Sequence, residues 1–345
     1  MYKGNTIGVV VPCYNEADNV GTVIETVPEY VDRTYVVDDH SSDETWEVIR
    51  AAADEANHDS DPKKNTRRVD GGEGEYTDST FSRTVVPVRH EHNSGVGAAI
   101  LTGYERARRD GVDVAAVMAG DGQMDPAILD RILDPVVKGR AGYAKGNRLG
   151  GREYVAEMPA VRLVGNALLT SLTRVASGYW RMSDPQNGYT AINLDVFDEI
   201  DTGSVHEDYG FCNDLLVRLN VADVRVADVT MHARYREEQS DIRYSEFAPK
   251  LSFLLARGFL WRLHASYLRA GHPLPVVLVI GTVSLLLGAI RAVSGRQENG
   301  DTDTDGTSVF PWGVVLTAFS LAIDYHRNAD LVEKHNPPDD DRNSN

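Results

Sequence analysis

Residues suited to ligand binding lie at the ends of four short apolar runs, or just beyond them, in the N-terminal part of the chain. In chain order they are Pro12, Tyr14 and Glu16, then Asp38 and Asp39, then Gly95 and Gly97, and finally Asp121 and Gln123. Taken singly, an acidic residue in such a place can cap a helix, and a glycine can open a loop. Their repetition after successive runs favours one shared site, because ligands of open α/β sheets bind beyond the carboxyl ends of the strands.

The elements that must position these residues can be predicted from the apolar periodicity. Short β-branched runs alternate with helical patterns, which predicts parallel strands covered by helices. The predicted strands are 6–11, 34–37, 84–89 and 114–118, and the predicted helices are 17–26, 43–56, 95–110 and 126–138. The segment 57–83 is too long and too polar for an ordinary connection, so we predict a disordered surface insertion there.

The charge of the chain argues against one class of partner and indicates a habitat. With 35 Lys and Arg against 52 Asp and Glu, the net charge is −17, and the chain lacks the basic footprint that nucleic-acid binding needs. Only 7 of the basic residues are Lys, whereas 33 of the acidic ones are Asp. This combination is typical of proteins from concentrated salt, where carboxylates maintain solubility and repulsion is screened. An ordinary acidic protein is the alternative.

Two apolar runs without charge, at 273–290 and 309–323, predict a helical hairpin near the C-terminus. At about 1.5 Å per residue, the first run can just span a hydrocarbon core of about 30 Å, and the second is marginal. We expect both to be transmembrane, and a buried core hairpin is the alternative. The segment 326–345 reads as a polar tail.

An aromatic and basic segment at 246–270 precedes the hairpin. Its composition predicts an amphipathic helix that lies at the surface of an anionic membrane. The basic residues on this side also predict that the N-terminal domain is cytosolic. They are Lys250, Arg257, Arg262 and Arg269.

Several motifs carry a family resemblance. VVPCYNEADNV, VVDDHSSDET, NSGVGAAILTGYERA and VMAGDGQMDP, in this order, resemble the nucleotide-sugar motifs of glycosyltransferase family 2. YAKGNR, Arg162 with Gly165 and Asn166, SDPQNGYTAIN and the C-terminal apolar pair resemble the polyprenyl-phosphate hexosyltransferases of that family, such as dolichol-phosphate mannose or glucose synthases. The resemblance implies an α/β fold of the GT-A type, Rossmann-like, over residues 1–245, followed by the interfacial helix and the transmembrane hairpin.

The resemblance also implies roles on the donor side. Pro12, Tyr14 and Glu16 would line the base and ribose pocket, Asp38 and Asp39 would bond the base edge or the ribose, and Gly95 and Gly97 would allow close backbone approach. Asp121 and Gln123 would hold Mg or Mn, since hard cations prefer oxygen ligands. The family pattern is Asp-x-Asp-x-Gln, and Ala119 stands in place of its first Asp. Either the two remaining ligands suffice, or a neighbour such as Asp39 or Asp125 contributes.

On the acceptor side, positive charge is needed to bring two anionic substrates together. The candidates for the lipid phosphate are Arg148, Arg162, Arg234, Arg236 and Ser240, with Arg243 in place of the Lys that the family usually carries after that Ser. The resemblance implies three catalytic residues, Asp121, Arg148 and Asp184. The Asp184 carboxylate lies in a loop shaped by Gln186, Asn187 and Gly188. The alternative carboxylates are Glu207 and Asp208.

The implied activity is inverting transfer of a hexose from a nucleotide sugar to dolichyl phosphate. UDP-glucose is favoured as donor and GDP-mannose comes next. Together with the acidic composition, the resemblance implies an enzyme of S-layer N-glycosylation in a haloarchaeon, at the cytosolic face of the cell membrane. One alternative is a synthase of cell-surface polysaccharide, although the QxxRW string of processive synthases is absent. Another is a catalytically impaired membrane scaffold, suggested by Ala119.

Overall fold

The computed structural model describes residues 1–59, 83–149, 160–231, 244–294 and 309–335. Most of the predicted insertion at 57–83 lies outside these ranges, so its disorder stays a prediction. Arg234, Arg236, Ser240 and Arg243 also lie outside the described residues. Within the described ranges, the chain forms one mixed sheet with helices on both faces.

The strands of this sheet match the predicted runs closely and add others. They are β1 (Ile7–Cys13), β2 (Arg33–Asp38), β3 (Thr84–Arg89), β4 (Val114–Val117), β5 (Tyr143–Asn147), β6 (Thr190–Asn193), β7 (Val226–Thr230) and β8 (Val332–His335). Their order across the sheet is β3-β2-β1-β4-β6-β5-β7-β8. Strand β6 runs antiparallel to both of its neighbours, while the other described pairs are parallel. The carboxyl ends of the described strands other than β6 therefore lie along one edge, where the polar motifs lie.

The structure describes ten α-helices, several of which pack on the two faces of the sheet. They are α1 (Val20–Thr26), α2 (Thr45–Asp59), α3 (Val96–Arg109), α4 (Leu129–Val137), α5 (Ala160–Ser177), α6 (Leu194–Glu199), α7 (Phe211–Val221), α8 (Tyr244–Leu263), α9 (Leu274–Ser294) and α10 (Val309–Asn328). Side chains of β1 alternate between faces, so Ile7 and Val9 pack with α1, α2 and α4 while Val10 packs with α3 and α7. Gly103 lets α3 approach the sheet, since a Cβ there would lie 2.2 Å from Val10 Cγ1.

The two C-terminal helices α9 and α10 pack closely against each other. A Cβ on Gly281 would lie 2.7 Å from Thr317 Oγ1, and one on Gly313 would lie 2.6 Å from the Leu285 nitrogen. Of the described helices, one, at Leu274–Arg291, is long and apolar enough to cross a membrane. The two runs thus form paired helices, and the expectation that both of them span a membrane stays a prediction.

The division of the chain into a catalytic domain and a polar tail needs correction. Residues 332–335, which fall within the expected tail, form β8 and pair in parallel with β7, from Val226 opposite Val332 to Val229 opposite His335. The pairing buries Val332, which is 6% exposed and packs with the core on the α3 face. The α9–α10 pair is thus inserted between two strands of one sheet, and the chain is joined to that sheet on both sides of the pair.

The expectation that Arg262 lies at a membrane surface is wrong. Its side chain is 0% exposed, and its Nη1 and Nη2 atoms lie 2.8 and 3.0 Å from the Asp324 carboxylate oxygens. Trp180 and Tyr267 donate further hydrogen bonds to the same carboxylate. Because a buried carboxylate needs such partners, Asp324 fastens the end of α10 to α8. The other basic residues of the segment are exposed: Lys250, Arg257 and Arg269.

Candidate active site

The ends of β1 and β2 form the first part of the site. Asp39 N donates to Cys13 O at 2.9 Å, which extends the pairing of the two strands to the motif residues. Beyond it, Glu16 N donates to Thr45 Oγ1 at 2.7 Å, so the start of α2 supports the loop after β1. Pro12 is buried near the end of β1, and Tyr14, in the loop that follows, is 49% exposed. The aromatic ring is therefore accessible to a ligand, as its predicted role requires.

Asp38 is buried and has partners within the protein. Its Oδ1 accepts the Ser41 N–H at 2.9 Å, and its Oδ2 lies 3.1 Å from Arg89 Nε. The Arg89 guanidinium in turn lies over the Trp46 ring, 5.5 Å from its centroid. These contacts shape the loop after β2, and the predicted contact of Asp38 with a nucleotide stays a prediction.

Asp39 organises the loop before α3. Its Oδ1 accepts the Ser94 N–H at 2.9 Å, and its Oδ2 accepts the Gly95 N–H at 2.7 Å. His90 Nδ1 lies 2.7 Å from Oδ1, while His90 Nε2 lies 2.9 Å from Thr102 Oγ1. The carboxylate of Asp39 therefore occupies the N–H groups of Ser94 and Gly95.

Gly95 and Gly97 permit a close approach within the protein. A Cβ on Gly95, whose φ is 97°, would lie 2.5 Å from Glu207 O, and one on Gly97 would lie 2.8 Å from the same oxygen. Ala98 N donates to Glu207 O at 3.0 Å. The two glycines thus seat the segment before α7 against α3. The side chains of Glu207 and Asp208 are exposed, and Asp208 O accepts the first N–H of α7, which favours a role at that helix start.

The turn after β4 carries Asp121. Its Oδ1 accepts the Gln123 N–H at 2.9 Å, and Gly122 follows with a φ of 69°. Gly120 N donates to Pro12 O at 3.1 Å, which joins this turn to the loop after β1. Burial, followed by the charges of Glu16, Asp38 and Asp121, raises the pKa of the Cys13 thiol. The acidic residues of three strand ends therefore converge around Cys13.

The Asp121 turn offers too few oxygen atoms to hold a divalent cation without further oxygen atoms from a bound substrate or water. Asp121 offers a carboxylate and Gln123 a carbonyl oxygen, whereas the Ala119 methyl group offers nothing. Among the described residues, no group of three or more His, Cys, Asp and Glu side chains is arranged to hold a metal. Small hard cations often take one or two carboxylates from the protein and the rest from substrate phosphates and water. The donor set therefore fits a cation that is bound together with a diphosphate.

Arg148 and Asp184 form a second centre at the end of β5. Arg148 Nε and Nη2 donate to Oδ2 and Oδ1 of Asp184 at 2.8 and 3.0 Å, and Arg148 N donates to Oδ2 at 3.1 Å. Asn187 adds a hydrogen bond to Oδ2 at 3.3 Å. Burial would raise the pKa of Asp184, but the hydrogen bonds and charge of Arg148, with the charge of Lys145, hold that pKa below its usual value. Asp184 is therefore a fixed carboxylate, and 38% of the Arg148 side chain stays exposed.

The two centres are joined along the edge of the sheet. Tyr189 OH donates to Asp125 O at 2.9 Å, and a Cβ on Gly188 would lie 3.4 Å from Met124 Cε. The Asp184 loop thus lies against the Asp121 turn. Arg162 lies in the first turn of α5, where the structure describes the backbone, so its role stays a prediction.

Three residues near these centres were missed in the sequence. His90 holds Asp39, and a buried pair, Lys145 with Asp228, lies beside Asp184. Each member of this pair interrupts a short strand of small apolar residues, YAKGN and VADVT. A charged residue in a buried strand requires a partner, so both strands carried a detectable signal. The partner itself could not be identified from one strand alone.

The fold and the strand-end site define the class of the protein. The architecture is the GT-A fold of nucleotide-diphospho-sugar transferases. Residues 8–201 match the family model described as Glycosyl transferase family 2, which covers more than half of the 345 residues. The chain therefore belongs to glycosyltransferase family 2 and is a glycosyltransferase.

Three similar proteins narrow the comparison. The chain is 24% identical over 232 residues to the UDP-N-acetylglucosamine–dolichyl-phosphate N-acetylglucosaminyltransferase of Methanococcus voltae, covering 67% of this chain and 86% of the relative. It is 30% identical over 207 residues to the polyprenol monophosphomannose synthase of Mycolicibacterium smegmatis, covering 59% and 67%. Glucosyl-3-phosphoglycerate synthase from Mycobacterium tuberculosis, solved in complex with UDP, matches with a TM-score of 0.50 and 18% identity over 75% of this chain and 80% of that one. The last comparison supports the shared fold.

Proposed function

We propose that the chain transfers a hexose, with inversion, from a nucleotide sugar to dolichyl phosphate. UDP-glucose is the favoured donor, and GDP-mannose is the next candidate. The product, dolichyl-phosphate-hexose, would serve N-glycosylation of S-layer proteins in a halophilic archaeon. This setting is supported by the net charge of −17 together with the scarcity of Lys.

The proposal of a lipid acceptor rests mainly on one observation, the link between the apolar helix pair and the Asp184 loop. Asp324, near the end of α10, accepts a hydrogen bond from Trp180 Nε1 at 2.9 Å. Trp180 lies four residues before Asp184, whose partner is Arg148. An acceptor with an apolar tail and a phosphate head would use such an arrangement, because the two parts need adjacent apolar and cationic surfaces. The two relatives described above, whose names include dolichyl phosphate and polyprenol, agree with this proposal.

The donor would bind along the ends of β1, β2 and β4. Tyr14 offers an exposed ring for the base, and Glu16 offers an acceptor for ribose hydroxyls. Asp121 and Gln123 would hold Mg or Mn, which supplies positive charge to the departing diphosphate. Asp39 would act indirectly, by holding Ser94 and Gly95 in place beside the donor.

On the acceptor side, the residues would align the lipid phosphate and need not deprotonate it. A phosphate monoester is anionic at neutral pH, so one of its oxygens can attack the anomeric carbon directly while the bond from that carbon to the diphosphate breaks. Arg148 would hold the attacking phosphate, because a guanidinium can bind two phosphate oxygens at once. Asp184 accepts four hydrogen bonds from Arg148 and Asn187. Its lowered pKa and these bonds suit a residue that fixes Arg148 and not a general base.

Membrane attachment would come from α9 and α10. Their outward faces carry exposed apolar side chains: Val279, Ile280, Val283, Leu286 and Leu287 on α9, and Phe310, Trp312, Val315 and Phe319 on α10. Such a continuous apolar surface is unfavourable in water and is expected in contact with lipid. We propose that the catalytic domain lies on the cytosolic side of the cell membrane, where nucleotide sugars are available.

Membranes that contain the full chain provide a direct test. They would be incubated with dolichyl phosphate and, in separate reactions, labelled UDP-glucose, GDP-mannose and UDP-N-acetylglucosamine. The proposal expects label in a dolichyl-phosphate-hexose with the opposite anomeric configuration to the donor, in largest amount from UDP-glucose. The Asp121→Ala protein in matched membranes is the control for background transfer. Failure of every donor to label the lipid above this control would reject a polyprenyl-phosphate acceptor, and labelling by UDP-N-acetylglucosamine alone would reject the hexose.

A further inference from the structure

Asp184 has a left-handed backbone conformation, which Asp adopts more readily than most residues but which its surroundings must still accommodate. Its φ is 44°, in the left-handed region that residues with a side chain rarely adopt. The Asp184 carboxylate is engaged with Arg148 and Asn187. Other groups must therefore hold the peptide that precedes Asp184.

A buried ion pair holds both polar groups of Ser183, the preceding residue. Lys145 Nζ donates to Ser183 O at 2.6 Å, and Asp228 Oδ2 accepts the Ser183 N–H at 3.1 Å. Lys145 Nζ also lies 3.0 Å from Asp228 Oδ1, and both side chains are 1% exposed. Because Ser183 O belongs to the peptide that joins Ser183 to Asp184, this pair fixes one side of the φ rotation of Asp184.

The same pair also supports Arg148. Asn147 Nδ2 donates to Asp228 Oδ2 at 3.1 Å, and Asn147 Oδ1 accepts the Leu149 N–H at 2.9 Å. Asn147, which precedes Arg148, therefore binds Asp228 directly. Leu149, which follows Arg148, is connected to Asp228 through Asn147. The neighbours of both partners in the Arg148–Asp184 pair are held by one buried carboxylate.

From these contacts we propose that Lys145 and Asp228 are positioning residues that set the orientation of the Arg148–Asp184 pair toward the acceptor. The proposal rests on the proposed function, in which Arg148 meets the acceptor phosphate. A buried ion pair is weak evidence for stability, since the loss of hydration offsets much of the attraction between the charges. An apolar pair could fill the same space, but it could not bind the N–H and C=O of Ser183. The pair therefore contributes orientation.

Asp228→Asn is the sharpest variant because it changes no volume. All groups that face the Asp228 oxygens are donors: the Lys145 ammonium on one side, and the Ser183 and Asn147 N–H groups on the other. An amide has only one acceptor oxygen, so either orientation of Asn places an NH2 group against a donor. The variant must therefore lose either the contact with the Lys145 ammonium or the hydrogen bonds from Ser183 and Asn147.

The matched control is Asp214→Asn. Asp214 is 5% exposed, pairs with Arg218 Nε at 3.2 Å and accepts the His206 N–H at 2.9 Å, so it too is a buried carboxylate that joins a cation and a backbone group. Both variants would be assayed as full chains in membranes, with donor and acceptor concentrations varied in turn. For Asp228→Asn we expect kcat to fall roughly 10- to 100-fold, as is typical of small errors in alignment, with donor KM within about threefold of the parent. Asp214→Asn should lower thermal stability by a similar amount and leave kcat within about twofold. Parental kcat in Asp228→Asn, or an equal fall in both variants, would overturn the proposal.

A paired apolar replacement, Lys145→Met with Asp228→Leu, separates orientation from folding. It should be more stable than Asp228→Asn, because no buried charge is left without a partner, yet it should not regain kcat. Recovery of both stability and kcat would show that the pair is structural only.

A readout that needs no acceptor keeps this test distinct from that of the proposed function. The Arg148 Nε–H hydrogen bond to Asp184 should give a slowly exchanging side-chain NMR signal in the parent, assigned through its loss in Arg148→Lys. Asp228→Asn should lose or shift this signal whatever acceptor the enzyme uses, and Asp214→Asn should retain it. An unchanged signal in Asp228→Asn would overturn the positioning role. Absence of labelled lipid in the parent would instead reject the proposed acceptor alone.

Discussion

The donor and acceptor parts of the site hold their carboxylates in different ways. On the donor side, Asp39 binds backbone N–H groups of Ser94 and Gly95, so the carboxylate shapes a loop. On the acceptor side, Asp184 binds a guanidinium that is 38% exposed, so the carboxylate orients a cation. Substitution of Asp39 should therefore displace a loop and lower stability, whereas substitutions in the Arg148–Asp184 pair should mainly alter the electrostatics of transfer.

The largest effect is expected for Asp121→Ala. Removal of the carboxylate expected at the departing diphosphate should lower transfer by roughly 10³-fold, the scale seen when an aligned electrostatic group is lost. Asp121 is partly exposed and its side chain accepts the Gln123 N–H within one turn, so the thermal midpoint should change little. Initial rates and a thermal melt would be measured on the same preparation. Near-parental rates would remove Asp121 from the donor machinery.

Arg148→Ala comes next and tests the acceptor side of the comparison. We expect kcat/KM to fall by roughly 10²-fold, with acceptor KM raised more than donor KM. Arg148→Lys should recover only part of the loss, because an ammonium cannot reproduce the two parallel hydrogen bonds to Asp184. Kinetics with each substrate varied in turn would check this split. A larger rise in donor KM would move Arg148 to the donor side.

Asp39→Asn tests the donor loop and should act mainly through stability. Its amide would place an NH2 group against either the Ser94 N–H or the Gly95 N–H, which should cost about 2 kcal/mol in the free energy of unfolding. Donor KM should rise several-fold and acceptor KM should stay close to the parent. Glu91→Gln, an exposed change on the same loop, is the control for charge alone. If acceptor KM rose instead, the division between the two sides would be wrong.

The smallest effect concerns pH. Because Arg148 and Lys145 hold the pKa of Asp184 below its usual value, its unfolded form binds more protons than the native form between the two pKa values. The stabilising contribution is complete above the usual Asp pKa of about 4 and is lost as pH falls through the lower native value. The difference in free energy of unfolding between the parent and Asp184→Asn should therefore shrink below about pH 4. Urea unfolding at several pH values would measure it, and a difference that grows in acid would contradict the assigned charge.

The donor strands were predictable because their signals are local. An apolar run that ends in a polar motif shows both the strand and its carboxyl end, and β1, β2, β3 and β4 begin and end within two residues of the predicted bounds. Strand β8 was not predictable in this way. VEKH is short and half polar, and it becomes a strand because β7 offers a free edge beside it.

Several side chains near the site were misread or missed because their partners are distant in sequence. Arg262 reads as a basic residue of an amphipathic helix, yet its partner Asp324 lies 62 residues away. Lys145 and Asp228 are 83 residues apart. One segment can show that a buried charge needs a partner, but the partner depends on how the strands are ordered across the sheet.

The amino-acid sequence by itself determined the family, the GT-A fold and the residues at the strand ends, because periodicity and motif order are local properties of the chain. The tertiary structure decided which of the carboxylates bind the backbone N–H groups of a loop and which bind a cationic side chain. It also attached residues 332–335 to the sheet as β8 and placed the Lys145–Asp228 pair beside the Arg148–Asp184 pair. The physical reason is that buried charges require partners, and in this protein sheet pairing and helix packing bring those partners from distant parts of the chain.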